Sequence, residues 1–152
     1  MKKVELQGCD FAAITTNQCI DWIDRFITEG KKGHIATINV AILMMMRKSR
    51  LLRDTFAEAK LLVADGMPLI WWSALRGSPL PERVTGVDLV DQICQRAEER
   101  SFRVFFLGAT EDVLDLMVQK LSSRYPNLEI AGCRNGYFTK EESAEVAEQI
   151  SQ

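Results

Sequence analysis

A short apolar run, Leu61-Leu62-Val63-Ala64, stops at an acid and is followed at once by glycine, Asp65-Gly66, before a new apolar segment opens at Met67-Pro68. A run of that length that ends at a turn signal reads as a buried strand. In open α/β sheets, ligands sit outside the carboxyl ends of the strands. Asp65 is therefore expected at the edge where chemistry is done. Arg83 follows on a loop that Pro79 and Pro81 constrain. A strand-end acid with a loop arginine suits transfer from a phosphorylated donor, because a guanidinium matches phosphate oxygens.

The same alternation runs through the chain. Strands are expected at Lys3 to Leu6, His34 to Ile38, Leu61 to Ala64, Arg103 to Leu107 and Leu128 to Gly132. Helices are expected at Thr16 to Thr28, Val40 to Lys48, Arg50 to Lys60, Pro68 to Leu75, Val87 to Arg100 and Glu111 to Arg124. Thr139 starts a last helix, with Glu142 completing a capping box. Apolar residues at Cys19, Ile20, Ile23, Phe26 and Ile27 carry the helical period in the first of these, with Thr15 or Thr16 as its cap. Strands alternating with helices give an α/β class: Rossmann-like, with a mostly parallel sheet covered by helices on both faces. With 152 residues, no linker and no repeat, one domain spanning 1–152 is expected.

Bulk chemistry narrows the function. The formal net charge is -2, so no overall field draws the chain to nucleic acid. The four cysteines form no C-x-x-C pair, and scattered reduced thiols fit better than zinc or a disulfide framework. Neither a signal core nor an apolar stretch of bilayer length is present, so any membrane contact must be peripheral. The single histidine, His34, gives poor support to a histidine-based nucleophilic triad.

Each candidate has a plainer reading. Asp65 can simply cap the helix after Gly66. Thr37 and Asn39 end a strand, where Asn usually caps or shapes a turn. Arg83 beside Glu82 can be a surface ion pair of little energetic weight. Phe105-Phe106-Leu107-Gly108-Ala109-Thr110 is a strand, a glycine turn and a helix start. Free N–H groups there suit a diphosphate, or the turn is only a tight connection with a Thr cap. It is neither G-x-G-x-x-G nor a P-loop, which counts against a dinucleotide enzyme. Met44-Met45-Met46 is expected in the core, and Trp71-Trp72 in core and rim; either group can instead supply an apolar interface for self-association. No D-x-D occurs, so a leaving diphosphate must rely on arginine and backbone N–H groups rather than a metal.

The blocks Thr37-Ile38-Asn39, Ala64-Asp65-Gly66-Met67-Pro68-Leu69-Ile70-Trp71, Glu82-Arg83-Val84-Thr85-Gly86-Val87-Asp88-Leu89, Phe105-Phe106-Leu107-Gly108-Ala109 and Asn135-Gly136-Tyr137-Phe138 stand in an order that resembles the WecG/TagA/CpsF family of bacterial glycosyltransferases. The likeness is greatest to its TagA-type N-acetylmannosaminyltransferases of wall teichoic acid synthesis. The resemblance implies metal-independent, inverting transfer of N-acetylmannosamine, or its uronic acid, from a UDP donor. The acceptor would be a polyprenyl-diphosphate-linked N-acetylglucosamine, and no cofactor is needed. It implies Asp65 as general base, Thr37, Asn39 and Gly66 lining the donor pocket, Arg83 on a diphosphate, and Gly108 shaping the nucleotide side. It places the protein at the inner face of the cell membrane. Family members continue beyond the Asn135-Gly136-Tyr137-Phe138 block with a strand, a glycine-rich segment and a basic portion, through which membrane contact is expected. A non-catalytic nucleotide-sugar-binding module on the same core is the competing expectation.

Overall fold

The computed structural model describes residues 1–151. The chain divides within one helix into two compact units, Met1–Asp91 and Gln92–Gln152.

The first unit opens with a hairpin, β1 (Lys3–Leu6) and β2 (Cys9–Ala12), paired antiparallel. The turn residues Gln7 and Gly8 both take positive φ, 54° and 78°. Positive φ at both central positions gives the turn the twist of the strands it joins. α1 (Thr16–Thr28) follows, and Thr15 and Gln18 close a capping box at its start. β3 (Ile35–Ile38) and β4 (Leu61–Ala64) then pair in parallel. Parallel neighbours need a crossover, and α2 (Val40–Lys48) and α3 (Arg50–Ala57) supply it. α4 (Met67–Leu75) leaves the end of β4, with Pro68 in its first turn. The core joins Val4, Leu6 and Phe11 of the hairpin to Ala36, Ile38 and Ala64 of the parallel pair, under Leu43, Met46 and Leu69 from the helices.

α5 (Gly86–Arg100) carries the chain into the second unit. β5 (Arg103–Leu107) and β6 (Glu129–Arg134) are again parallel, joined by α6 (Glu111–Arg124), and their register shifts between Val104 and Phe105. Cys94, Leu121 and Tyr125 form the buried centre here, with Phe106 and Met117 packed on them. α7 (Ser143–Ser151) closes the described chain.

The α/β, Rossmann-like class is the one the sequence implies, and several boundaries move. The hairpin partner β2 was not expected. α3 stops at Ala57 rather than Lys60, because the Lys60 N–H donates to the His34 carbonyl at 2.9 Å and begins the β3–β4 ladder. β6 starts later and reaches Arg134, whose carbonyl accepts from Gly108 N–H at 3.1 Å. The last helix starts at Ser143, not Thr139: the Glu142 carboxylate accepts from Thr139 N–H, but residues 140–142 form a turn. In the methionine run only Met46 is buried, since α2 turns one face to the core and leaves Met44 and Met45 exposed.

Candidate functional site

The parallel register sets Thr37 beside Val63 and Ile38 beside Ala64. Both strands therefore end together, and Asn39 and Asp65 leave the sheet at the same edge. The Asp65 N–H donates to the Ile38 carbonyl at 2.8 Å, which extends the ladder by one bond and fixes the backbone of the acid. A third segment runs beside this edge: Val84 N–H donates to the Ala64 carbonyl at 2.9 Å. Val84 and Thr85 are buried, so the loop that carries Arg83 is anchored rather than loose.

The anchored loop brings a backbone donor to the acid. Gly86 N–H points at Asp65 Oδ2 at 3.4 Å, a long bond that leaves most of the carboxylate's accepting capacity free. A Cβ built on Gly86 would stand 3.4 Å from Thr37 Oγ1, and one on Gly66 would stand 4.0 Å from the Asn39 Cβ. Thr37, Asn39, Asp65, Gly66 and Gly86 thus gather in one small region, with Asp65 half-buried. Gly66 sits at φ 151° and ψ 134°, backbone that suits glycine, and it turns the chain sharply into α4.

The plain readings divide. Asp65 does not cap α4: the cap position is Gly66, with no side-chain hydrogen bond. Asn39 does cap, its Oδ1 accepting from Ile42 N–H at 2.9 Å, which leaves its amide N–H groups for another partner. Glu82 does not pair with Arg83 but accepts from the Thr16 backbone N–H. Among the described residues no ion pair holds Arg83, which is exposed one residue before the anchored Val84. Gly86 is the site group that sequence reasoning missed as a donor. Its signal was Thr85-Gly86 at a helix start: Thr85 Oγ1 accepts from Asp88 N–H at 3.1 Å, and the cap orients the first free N–H of α5.

Gly108 lies in the second unit. Its φ is 147°, and Ala109 beside it also takes a positive φ of 57°. The Gly108 N–H is spent on Arg134, and Gly136 N–H donates to the Ala109 carbonyl at 3.1 Å. The expected Thr110 cap is absent as a side-chain bond. Glu111 and Asp112 occupy the first turn of α6, where their charge offsets the helix dipole that would attract a phosphate. Gly108 accordingly shapes the turn, with its own N–H already paired.

Other groups are ordinary by comparison. None of the four cysteines forms a disulfide; burial pushes the Cys19 thiol up to about 11, and burial followed by Asp10 and Glu5 raises Cys9. His34 is exposed. Among the described residues no group of three or more His, Cys, Asp or Glu is arranged to hold a metal ion, and no helix is long and apolar enough to cross a membrane.

A family model described as the glycosyl transferase WecG/TagA/CpsF family matches residues 4–152. An N-acetylglucosaminyldiphosphoundecaprenol N-acetyl-beta-D-mannosaminyltransferase of Bacillus subtilis (strain 168) is 32% identical over 133 residues, which are 87% of this chain and 51% of that protein. The protein of the same description from Staphylococcus aureus (strain NCTC 8325 / PS 47) is 30% identical over 146 residues, covering 95% of this chain and 57% of the relative. The chain spans about half the length of the curated relatives it matches.

Proposed function

This chain belongs to the WecG/TagA/CpsF family of glycosyl transferases, and from that premise we propose that it carries the catalytic acid-bearing part of an N-acetylmannosaminyltransferase. The donor is UDP-N-acetylmannosamine. The acceptor is N-acetylglucosamine linked through a diphosphate to a polyprenol, as in a teichoic acid linkage unit, and the reaction takes place at the inner face of the cell membrane. The observation that carries this reading is the half-buried Asp65 at the joint end of β3 and β4, with one long hydrogen bond and free lone pairs.

In this reading the Asp65 carboxylate takes the proton of the acceptor hydroxyl. The hydroxyl oxygen attacks the anomeric carbon of the donor, and the bond from that carbon to the diphosphate oxygen breaks. UDP leaves with the electron pair. A single displacement of this kind inverts the anomeric centre. Arg83 faces the developing charge on the diphosphate as a planar fork, without a metal or other cofactor. Thr37 and the free Asn39 amide line the sugar side of the pocket, and Gly66 gives the donor close access to the backbone. Gly108 shapes the nucleotide side. Self-association would use apolar surface other than the α4 face, such as the exposed Met44 and Met45 of α2.

The test is transfer of labelled N-acetylmannosamine from its UDP donor to a lipid-linked acceptor, with the product anomer read by NMR and the rate repeated after chelation. Transfer with inversion, unchanged by chelator, is expected. Retention of configuration, or a donor other than a UDP-hexosamine, would overturn the reading.

A further inference from the structure

α4 begins two residues after Asp65 and carries no charged side chain. Its buried side is Leu69 and Ser73, the latter held by donating to the Ile70 carbonyl and accepting from Leu80 N–H. The opposite side is apolar as well. Met67 is 40% exposed, Trp71 65% and Leu75 87%, and their spacing of four puts them on one face. Pro68 and Ala74, also exposed, flank that stripe. A helix apolar all round is normally buried, yet this one stands at the surface. Arg76 follows at its end, exposed and without an ion pair among the described residues.

We propose that the exposed face of α4, Met67, Trp71 and Leu75 with Arg76 at its end, is where the protein lies on a bilayer. Three features select a lipid surface over other occupants. The stripe pairs a tryptophan with aliphatic chains and ends in a cation, a set that suits the boundary between acyl chains and anionic headgroups. The helix is about 13 Å long by its rise per residue and starts two residues from the acid, so this face lies close to the site along the chain. An acceptor whose sugar hangs from a membrane-held diphosphate can only reach a base that lies close to the headgroups. This last point rests on the function proposed above; the first two do not.

The experiment compares the chain with a Trp71→Ser/Leu75→Gln variant in two assays. In flotation with phosphatidylglycerol vesicles, the unaltered chain should rise with the lipid. The variant should lose at least about tenfold in partitioning, since each side chain withdraws apolar area worth about that factor. In turnover, the variant should keep the rate on a short-chain, water-soluble acceptor and lose it on a polyprenyl acceptor in vesicles. Failure of the unaltered chain to float, equal flotation of the variant, or equal loss on both acceptors overturns the proposal. So does a dimer in sedimentation that the variant dissolves, because the face would then belong to a second copy. Flotation abolished by the variant, with no transfer to either acceptor by the unaltered chain, would leave the membrane surface standing and remove the transferase reading.

Discussion

The two units repeat one backbone device and use it differently. Each has a pair of parallel strands, and each leaves a strand end through a glycine near φ 150°: Gly66 at 151° after β4, Gly108 at 147° after β5. In the first unit the turn holds an acid with one long backbone contact, and the helix it opens has no acid in its first turn. In the second, the glycine N–H is consumed by Arg134, and Gly136 packs so closely that a Cβ there would meet the Gly108 Cα at 2.9 Å. Two carboxylates then stand at the start of α6. A glycine turn at a strand end is therefore not in itself a binding site. What decides is whether its polar groups are left unspent and which charges surround them.

Asp65→Asn gives the sharpest contrast. It keeps the shape and removes the base, so turnover should fall by about 10² to 10⁴-fold, while Glu111→Gln at the other turn should leave it nearly unchanged. Steady-state rates on the same acceptor measure both. A comparable loss in Glu111→Gln would move chemistry into the second unit and undo the distinction.

Gly66→Ala and Gly108→Ala sharpen it. Neither site is crowded: the nearest atom to a Cβ on Gly66 is Pro68 Cδ at 3.8 Å, and nothing lies within 4 Å on Gly108. The cost is then backbone strain alone, about 1–3 kcal/mol in each case, or about 2–4 °C in Tm per kcal/mol. Similar melting losses are expected by calorimetry, with the larger loss of turnover in Gly66→Ala, where the strain moves Asp65.

How far this contrast could be read from the sequence depends on what carries it. Elements with a clear period or a compact apolar run were legible: α1, α2, β4, β5 and α6 have the expected bounds. Asp65, Thr37 and Asn39 were legible as strand-end polar residues. The hairpin strand β2 was missed because its pairing depends on positive φ at Gln7, a residue type that does not signal it. The donor on Gly86 was missed because a backbone N–H has no side-chain signature and its direction is set by the Thr85 cap. The consumption of the Gly108 N–H depends on Arg134, distant in sequence, and no local pattern announces it.

The caps themselves give a smaller test. Thr85 Oγ1 accepts a helix N–H, whereas Thr110 makes no such bond. Thr85→Ala should cost about 1 kcal/mol in denaturant unfolding, and Thr110→Ala much less. Equal losses would mean that the two helix starts differ in sequence only.

The smallest effect separates the units by acid. The first unit caps α1, α2 and α3 with the side chains of Thr15, Asn39 and Ser49, which do not titrate in the acid range, although the Thr16 N–H of α1 also meets the Glu82 carboxylate. The turn into α7 depends instead on Glu142, whose carboxyl is held below its ordinary value of 4.5 by hydrogen bonds from Thr139 and, further, by the Arg134 guanidinium 3.5 Å away. A carboxyl lowered on folding binds its proton more readily when unfolded, so its contribution is present above pH 4.5 and is lost as pH falls through the folded value. The group is exposed, so the loss is local. Hydrogen exchange at the Thr139 and Val146 amides should quicken on acidification relative to the Gln18 and Ile42 amides, after correction for intrinsic rates, and Glu142→Gln should remove that difference. Parallel acceleration at all four amides would show that acid opens both units alike, and the contrast in their caps would then have no consequence for stability.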